Sequence, residues 1–582
     1  MVVMMISTYM YKNLGISNTK IAFYTAWFYL PWVIKPLWSP LVEILRTRRF
    51  WIITMQLVIG AGLGSLALII PLPGYFKTSL IFFWLLAFSS ATHDIAIDGF
   101  YILGQSQHNQ AYFVGIRSTF YRLAMIFGQG ILIMLTGLIE SHSGLGEVNI
   151  NVYAITPTSP EIAIEAQPSN QSGLVIEPAV LKIKIIPLSK TQADSFLMEV
   201  KEWNIAQGQE SEELNDTVSK NTWWQQQVAA PLTQFLKTRF AAAPAPAYQA
   251  IGNIGIVQLR LRAKPTSDKE ILVHFGRSGG DKSIALIEGT SFIFNQENWD
   301  QPVRAAIQLD PKLTTTTAAV FTARSGNSKL AWSITFLILG GLFLVFFIYH
   351  KLILPFPEAD ISRGNAQFTQ FLRDFFNTFV TFFKKQSIGI SILFLLLFRL
   401  GESQLVKLAS PFLLDSQEAG GIGLTLGQIA LVYGTVGTIF LMAGGILGGM
   451  VVARHGLRKW LIWMVIAINL PDVFYIYLSQ VQPDNIFFVN ICVAIEQFGY
   501  GFGFTAYMLY MIIIAEGEHK TAHFAICTAF MALGMMIPGM FSGWLQEIIG
   551  YRNFFIWVIL CTIPGFLLIK FLPIPKDFGI KK

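Results

Sequence analysis

"LIFFWLLAFSSATHDIAIDGFYIL", residues 80–103, decides the fold. A helix of this length, rising ~1.5 Å per residue, crosses a hydrocarbon core of ~30 Å. The run carries two carboxylates, Asp94 and Asp98, whose spacing stacks them on one helix face. Carboxylates are costly in a bilayer and like charges at that spacing repel, so a span that keeps both asks for a function.

The same reading extends along the chain. Of 582 residues, 53% are hydrophobic and 13% charged, far more apolar than a soluble domain. Apolar stretches of spanning length lie near 21–44, 51–71, 78–104, 113–139, 331–354, 387–413, 427–453, 459–480, 486–514, 521–547 and 553–573. The expected fold is an all-α polytopic membrane protein in contact with the lipid bilayer. The opening "MVVMMISTYMY" is apolar but short, and reads as the end of a twelfth span, a first helix truncated relative to the working protein. It lacks the basic start and small-residue cleavage site of a signal peptide.

Lys and Arg collect in "RTRRF" (46–50), "ARHGLRKW" (453–460), Lys384 with Lys385, and the tail "KDFGIKK". Alternate-loop counting puts all of these on one side, cytoplasmic by the positive-inside rule, together with both termini. The formal charge of +7 is then explained without nucleic acid. Cys492, Cys527 and Cys561 all fall in predicted spans, so the long segment between the fifth and sixth spans cannot be held by disulfides.

That segment, 140–330, changes character. "LKIKIIPL" (181–188), "IGIVQLRLRAKP" (254–265), "KEILVHFGR" (269–277) and "TSFIFNQ" (290–296) alternate with period two, as strands do. "WWQQQVAAPLTQFLKTRF" (223–240) reads as a helix and "AAAPAPA" (241–247) as a stiff link. Span parity places this β-rich domain outside the cytoplasm, in the periplasm of a Gram-negative cell. "GRSGGDKS" (276–283) brushes against a phosphate-binding loop, but Asp281 stands where a glycine must precede the lysine; a β-turn fits better. The expected domains are 1–139 (five helices of the N-terminal half), 140–330 (the insert), 331–354 (the sixth helix), 355–386 (a cytoplasmic linker) and 387–582 (the C-terminal half). In the linker, "FTQFLRDFFNTFVTFFKKQ" (368–386) has an amphipathic pattern suited to the inner leaflet or to a docking surface.

Two six-span halves suggest an internally repeated transporter, and a basic loop follows the second span of each. "ARHGLRKW" resembles the signature loop of the major facilitator superfamily through Gly449, Arg454, Gly456, Arg458 and Lys459, departing at Ala453. "LPWVIKPLWSPLVE" (30–43), "ATHDIAIDGFY" (91–101), "GIRSTFYRLAMIFGQG" (115–130), "FRLGESQLVKLASPFLLD" (398–415), "GLTLGQIALVYGTVGT" (423–438), "EQFGYGFGFTAYMLYMI" (496–512) and "TAHFAICTAF" (521–530) together resemble AmpG-type muropeptide permeases, in the peptide, acetyl-coenzyme A and drug transporter branch of that superfamily. The likeness covers nearly all the membrane part and none of 140–330. His93 and His523 stand where the family usually has glutamine, Glu43 for aspartate and Gly99 for alanine. The resemblance implies the major facilitator fold and import of anhydro-muramyl peptides, released in wall turnover, into the cytoplasm with protons across the inner membrane. A siderophore or an acyl-coenzyme A is the alternative cargo within the same branch.

The residues can be weighed on their own chemistry. Asp94 and Asp98 are the expected proton-coupling pair, with Arg117 and Arg122 as ion-pair partners; a purely structural ion pair is the competing reading. Lys35 stands in "PWVIKPLW" between prolines that open the helix, where a cation can meet an anionic solute. Tyr121, Arg399, Glu402, Lys407, Glu496 and Gln497 complete the substrate-binding set, although Arg399 and Glu402 at i, i+3 can neutralise each other. His93 is expected as a neutral, hydrogen-bonded interface histidine. Trp27, Tyr29, Trp32 and Trp38 can stack on sugar rings or serve as interface anchors. Glu496 and Gln497 give no metal site, and neither metal nor cofactor is expected. A membrane acyltransferase would need a His–acid or Ser–His constellation at a membrane face; no convincing one stands out, so no enzyme is expected. A sensor or scaffold whose insert binds wall material is the third class, separated by whether uptake survives deletion of 140–330.

Overall fold

The structure is a computed structural model. It describes residues 2–72, 74–104, 120, 123–157, 173–209, 230–239, 250–265, 271–281, 283–358, 360, 368–417, 419–517, 520–575 and 578. The chain divides into two compact units: 1–137 with 329–414 and 424–582, and 138–328 with 415–423.

The first unit is helical. Among the described residues, nine helical stretches are long and apolar enough to cross a membrane. The stretch near 21–44 is not among them, because it breaks: Asn18–Trp27 ends at Phe28 and Leu30–Leu45 begins with Pro31 in its first turn. The last two expected spans form one continuous assignment, Lys520–Leu568, but Gly550 sits at φ 74°, ψ 164° and separates two helices there. That left-handed backbone is open to glycine and strained for other residues. The stretch 387–413 likewise consists of Ile388–Leu397 and Leu400–Leu414. This is a multi-pass membrane protein.

The ends of these helices are tied by specific polar contacts. Asp360 accepts from the Arg48 and Arg49 amides at 2.8 and 3.0 Å, satisfying orphan donors where Arg48–Ile69 begins. Arg49 donates to the Lys351 and Leu354 carbonyls and lies 3.7 Å over the Phe356 ring. The amphipathic linker helix, Phe368–Phe383, is docked rather than free along its second half. Phe382 is fully buried against Phe530, and His523 Nε2 lies 3.1 Å from both the Thr381 hydroxyl and the Thr378 carbonyl. Phe376, Val380 and Phe383 stay exposed, a face suited to lipid.

The second unit has two main sheets and a two-stranded ribbon of β4 (Pro187–Ser189) and β5 (Ala250–Gly252). One sheet orders β3 (Val180–Lys184), β1 (Val148–Ile155), β11 (Thr317–Gly326), β7 (Ile271–Gly280) and β9 (Ser291–Phe294). The other orders β2 (Leu174–Glu177), β6 (Ile254–Leu261), β10 (Val303–Leu309) and β8 (Ile284–Glu288). Alternate residues enter one core: Ile150 and Val152 from β1, Leu259 from β6, Phe275 from β7, Ile307 from β10 and Phe321 from β11. Period-two patterning therefore does here what it predicts. The helix Lys190–Ala206 is capped by Ser189 and Gln192 and pinned to β10, with Asn204 exchanging hydrogen bonds with the Arg304 backbone at 2.7 and 2.8 Å. Ala230–Arg239 is the described part of the other expected helix. "GRSGGDKS" runs along β7 into a turn in which Asp281 accepts from the Ser283 amide at 2.9 Å. That bond, with the Thr317 hydroxyl, holds the Asp281 carboxyl below the usual carboxylate range. The link 241–247 lies outside the described residues.

Candidate functional site

The break at residues 28–29 positions the first group. It frees backbone where Pro31 and Pro36 already remove donors, and it presents Lys35 to the helix Tyr75–Gly104. Lys35 Nζ lies 2.5 Å from Asp94 Oδ2, with the two side chains 20% and 43% exposed. The sequence offers Lys35 to a solute and Asp94 to an arginine, whereas the structure joins them to each other. Arg117, Tyr121 and Arg122 lie outside the described residues. Asp98 is half-buried one turn below Asp94 and also has a polar partner. Gly99 next to it lets an arginine in: a Cβ there would sit 2.4 Å from Arg48 Nε. His93 differs from its expected state, because its buried Nε2 has no hydrogen-bond partner among the described residues.

The second half holds more buried charge. Arg399 donates to Glu402 through Nε and Nη2 at 2.8 and 2.7 Å, so the i, i+3 pair is a buried two-point bridge. The same guanidinium donates to the Tyr500 hydroxyl at 2.9 Å and lies 5.0 Å over the Phe504 ring. Lys407 is 3% exposed. It donates to Thr25 Oγ1 across the two halves at 2.9 Å and lies 5.2 Å over the Tyr29 ring. No carboxylate pairs with it among the described residues. Glu496 is buried and accepts from the adjacent Gln497 amide at 2.9 and 3.2 Å. Asp472 is a residue the sequence reading missed; it is 1% exposed. Its signal is present in "NLPDVF" (469–474), a proline–acid pair in mid-span.

The two halves meet tightly at the end of the bundle that carries residues 14–17. Asn18 Nδ2 donates to Gln546 Oε1 and to the Tyr551 hydroxyl, both at 2.8 Å, and Thr19 bonds to Glu547 through amide and hydroxyl. In a second contact between the halves, Gly434 meets Gly130 so closely that a Cβ on Gly434 would lie 2.4 Å from the Gly130 Cα and 2.5 Å from the Gln129 carbonyl oxygen. Those obstacles are backbone and cannot turn aside; overpacking of this kind costs about 1–3 kcal/mol. Gly434→Val is therefore expected to part the halves. In a cysteine-free background, a cysteine placed at Thr25, which is fully buried, should react with a membrane-impermeant thiol reagent about tenfold faster, the change produced by about 1.4 kcal/mol lost from the closed state. Unchanged labelling would show that the glycine contact does not hold the halves together.

Comparison with known proteins adds the following. No family model matches the chain. A Rickettsia conorii protein named as a transporter, AmpG 4, is 27% identical over 264 residues, covering 45% of this chain and 61% of that protein. The anhydromuropeptide permease of Escherichia coli K12 is 23% identical over 188 residues, 32% of this chain and 37% of that one. The chain thus spans about three-fifths of the Rickettsia relative and just over a third of the Escherichia coli one. A bacterial homologue of the human lysosomal transporter Spinster, solved inward-facing and unoccupied, aligns with a TM-score of 0.49 at 11% identity, over 98% of this chain and 93% of that one. This chain is a multi-pass membrane protein that resembles the AmpG-type permeases of the major facilitator superfamily.

Proposed function

We propose that the chain is a secondary active transporter of the inner membrane that imports anhydro-muramyl peptides with protons, its residues 140–330 periplasmic and its termini cytoplasmic. The observation that carries this reading is Lys407, an amine buried between the halves that has a hydroxyl and a ring, and no carboxylate, against it among the described residues. A buried ammonium without a carboxylate is costly, and a cargo bearing carboxylates supplies the missing charge. Sugar rings find aromatic faces beside it in Tyr29 and, near Arg399, in Tyr500 and Phe504. The relatives' names support the cargo class.

Coupling follows from the Lys35–Asp94 bridge. A proton arriving on Asp94 removes the carboxylate that Lys35 holds and releases the ammonium to an anionic cargo. The contacts at the 14–17 end then correspond to the state closed to the periplasm, with Lys407 letting go of Thr25 when the halves part. The test is uptake into inside-negative vesicles carrying the full-length protein. Labelled anhydro-muropeptide should accumulate when the outside is acidified, and collapse of the gradient should abolish it. Accumulation of a labelled siderophore or acyl-coenzyme A instead would reject the muropeptide reading.

A further inference from the structure

The span Leu457–Val481 does not run straight. Its first helix ends at Asn469, Leu470–Asp472 forms a 3-10 turn, and Val473–Val481 resumes. Pro471 brings no amide hydrogen to this turn, and Gly499 on the helix Ile486–Ala515 presses against it: a Cβ there would sit 1.9 Å from the Ala467 carbonyl oxygen and 3.0 Å from Pro471 Cγ. The turn is thus packed closely against that helix, and Asp472 ends it. Asp472 is 1% exposed, and its Oδ2 has no hydrogen-bond partner among the described residues.

The groups around it are acids and phenols. Glu496 is buried one helical turn before Gly499, the residue that packs on this turn, and Glu402 is buried on the helix Leu400–Leu414. Tyr433 and Tyr475, both buried, are hydrogen-bonded to each other through their hydroxyls, and Tyr475 follows Asp472 by one helical turn. Of the buried cations of the second half, Arg399 is already held by Glu402 and Lys407 donates to Thr25. Glu496 has the Gln497 amide and no cation among the described residues. Two buried carboxylates on packed neighbouring elements, in a low dielectric and without a counter-ion, are costly to keep charged together. Among the described residues, no three His, Cys, Asp or Glu side chains are grouped to hold a metal ion, and a proton is the ligand that fits a bare, buried carboxylate oxygen.

We infer that Asp472 and Glu496 form a proton-binding site of the second half, separate from Asp94 and Asp98. One proton taken from water converts one carboxylate of the pair to a carboxylic acid and leaves a single negative charge for the Gln497 amide and the tyrosine hydroxyls to solvate. Glu496, offered above as a cargo contact, is here a proton carrier. The inference needs no particular cargo, so failure of muropeptide uptake leaves it standing.

The test is infrared difference spectroscopy, acid minus alkaline, on the full-length protein in lipid vesicles. The wild type should show a protonated-carboxyl C=O band that shifts in heavy water and titrates with one midpoint. Asp472→Asn and Glu496→Gln should each lower that midpoint by at least about one pH unit, a tenfold loss of proton affinity, or remove the band. A carboxyl serving only to brace the turn would not move the midpoint. Asp472→Glu, which keeps the acid, should retain a titrating band. Should Asp472→Asn fail to fold, the wild-type band and the Glu496→Gln shift decide alone. No band in the wild type, a midpoint unmoved by Glu496→Gln, or a band displaced by adding sodium would each overturn the inference.

Discussion

Asp94→Asn is expected to insert and fold as the wild type does, and to lose uphill uptake by about tenfold or more together with its pH dependence. The stability effect should be small, because the Lys35–Asp94 bridge is partly exposed and bridges of that kind contribute about 0–1 kcal/mol. The transport effect should be large for a different reason. A proton crossing 100 mV gains about 2.3 kcal/mol, and about 1.4 kcal/mol of lost coupling already reduces accumulation tenfold. In the variant, Lys35 is free at every pH, so binding of an anionic cargo should persist or tighten while the gradient no longer drives it. Asp98→Asn keeps the bridge and removes only the neighbouring charge, so its defect should be a shift in the pH at which uptake begins. If both variants fold and still accumulate cargo in response to a proton gradient, the two carboxylates do not couple transport.

Glu402→Ala is expected to destabilise the protein by about 3–5 kcal/mol, read as thermal or denaturant unfolding in detergent, because it strands the Arg399 guanidinium in a site where both side chains are nearly fully buried. Arg399→Met with Glu402→Met should recover most of that loss, since replacing both partners by apolar groups of similar size is often neutral. Uptake separates the two roles open to this pair. A double variant that folds and transports shows self-neutralisation; one that folds and has lost cargo binding shows that the guanidinium, or the Tyr500 and Phe504 surface it organises, touches the cargo.

The sequence alone determined the class of this protein. Runs of apolar residues longer than a bilayer's thickness leave the backbone no other low-energy state than helix, which is why the stretches around 48–69, 328–353, 426–455 and 486–515 are legible residue by residue. Alternation in 181–184 and 254–261 made those strands of the insert equally plain, because a pleated strand with one buried face must repeat every two residues. The chemistry of single residues was legible too: Asp94, Lys35, Arg399, Glu402, Lys407 and Glu496 are conspicuous because ionisable groups are rare in spans.

Pairing was not legible. Lys35 and Asp94 are 59 positions apart, and Lys407 and Thr25 are 382. Spacing along one helix predicts neighbours only on that helix, which is why Arg399–Glu402 could be read from an i, i+3 interval and these two could not. Asp472 was hidden for a related reason. It lies within a predicted span beside Pro471, and the packing of Gly499 against the turn is what shows it buried rather than solvated. Which charges are solvated, which are paired and which are left alone depends on what other helices bring to the same place, and that the tertiary structure decided.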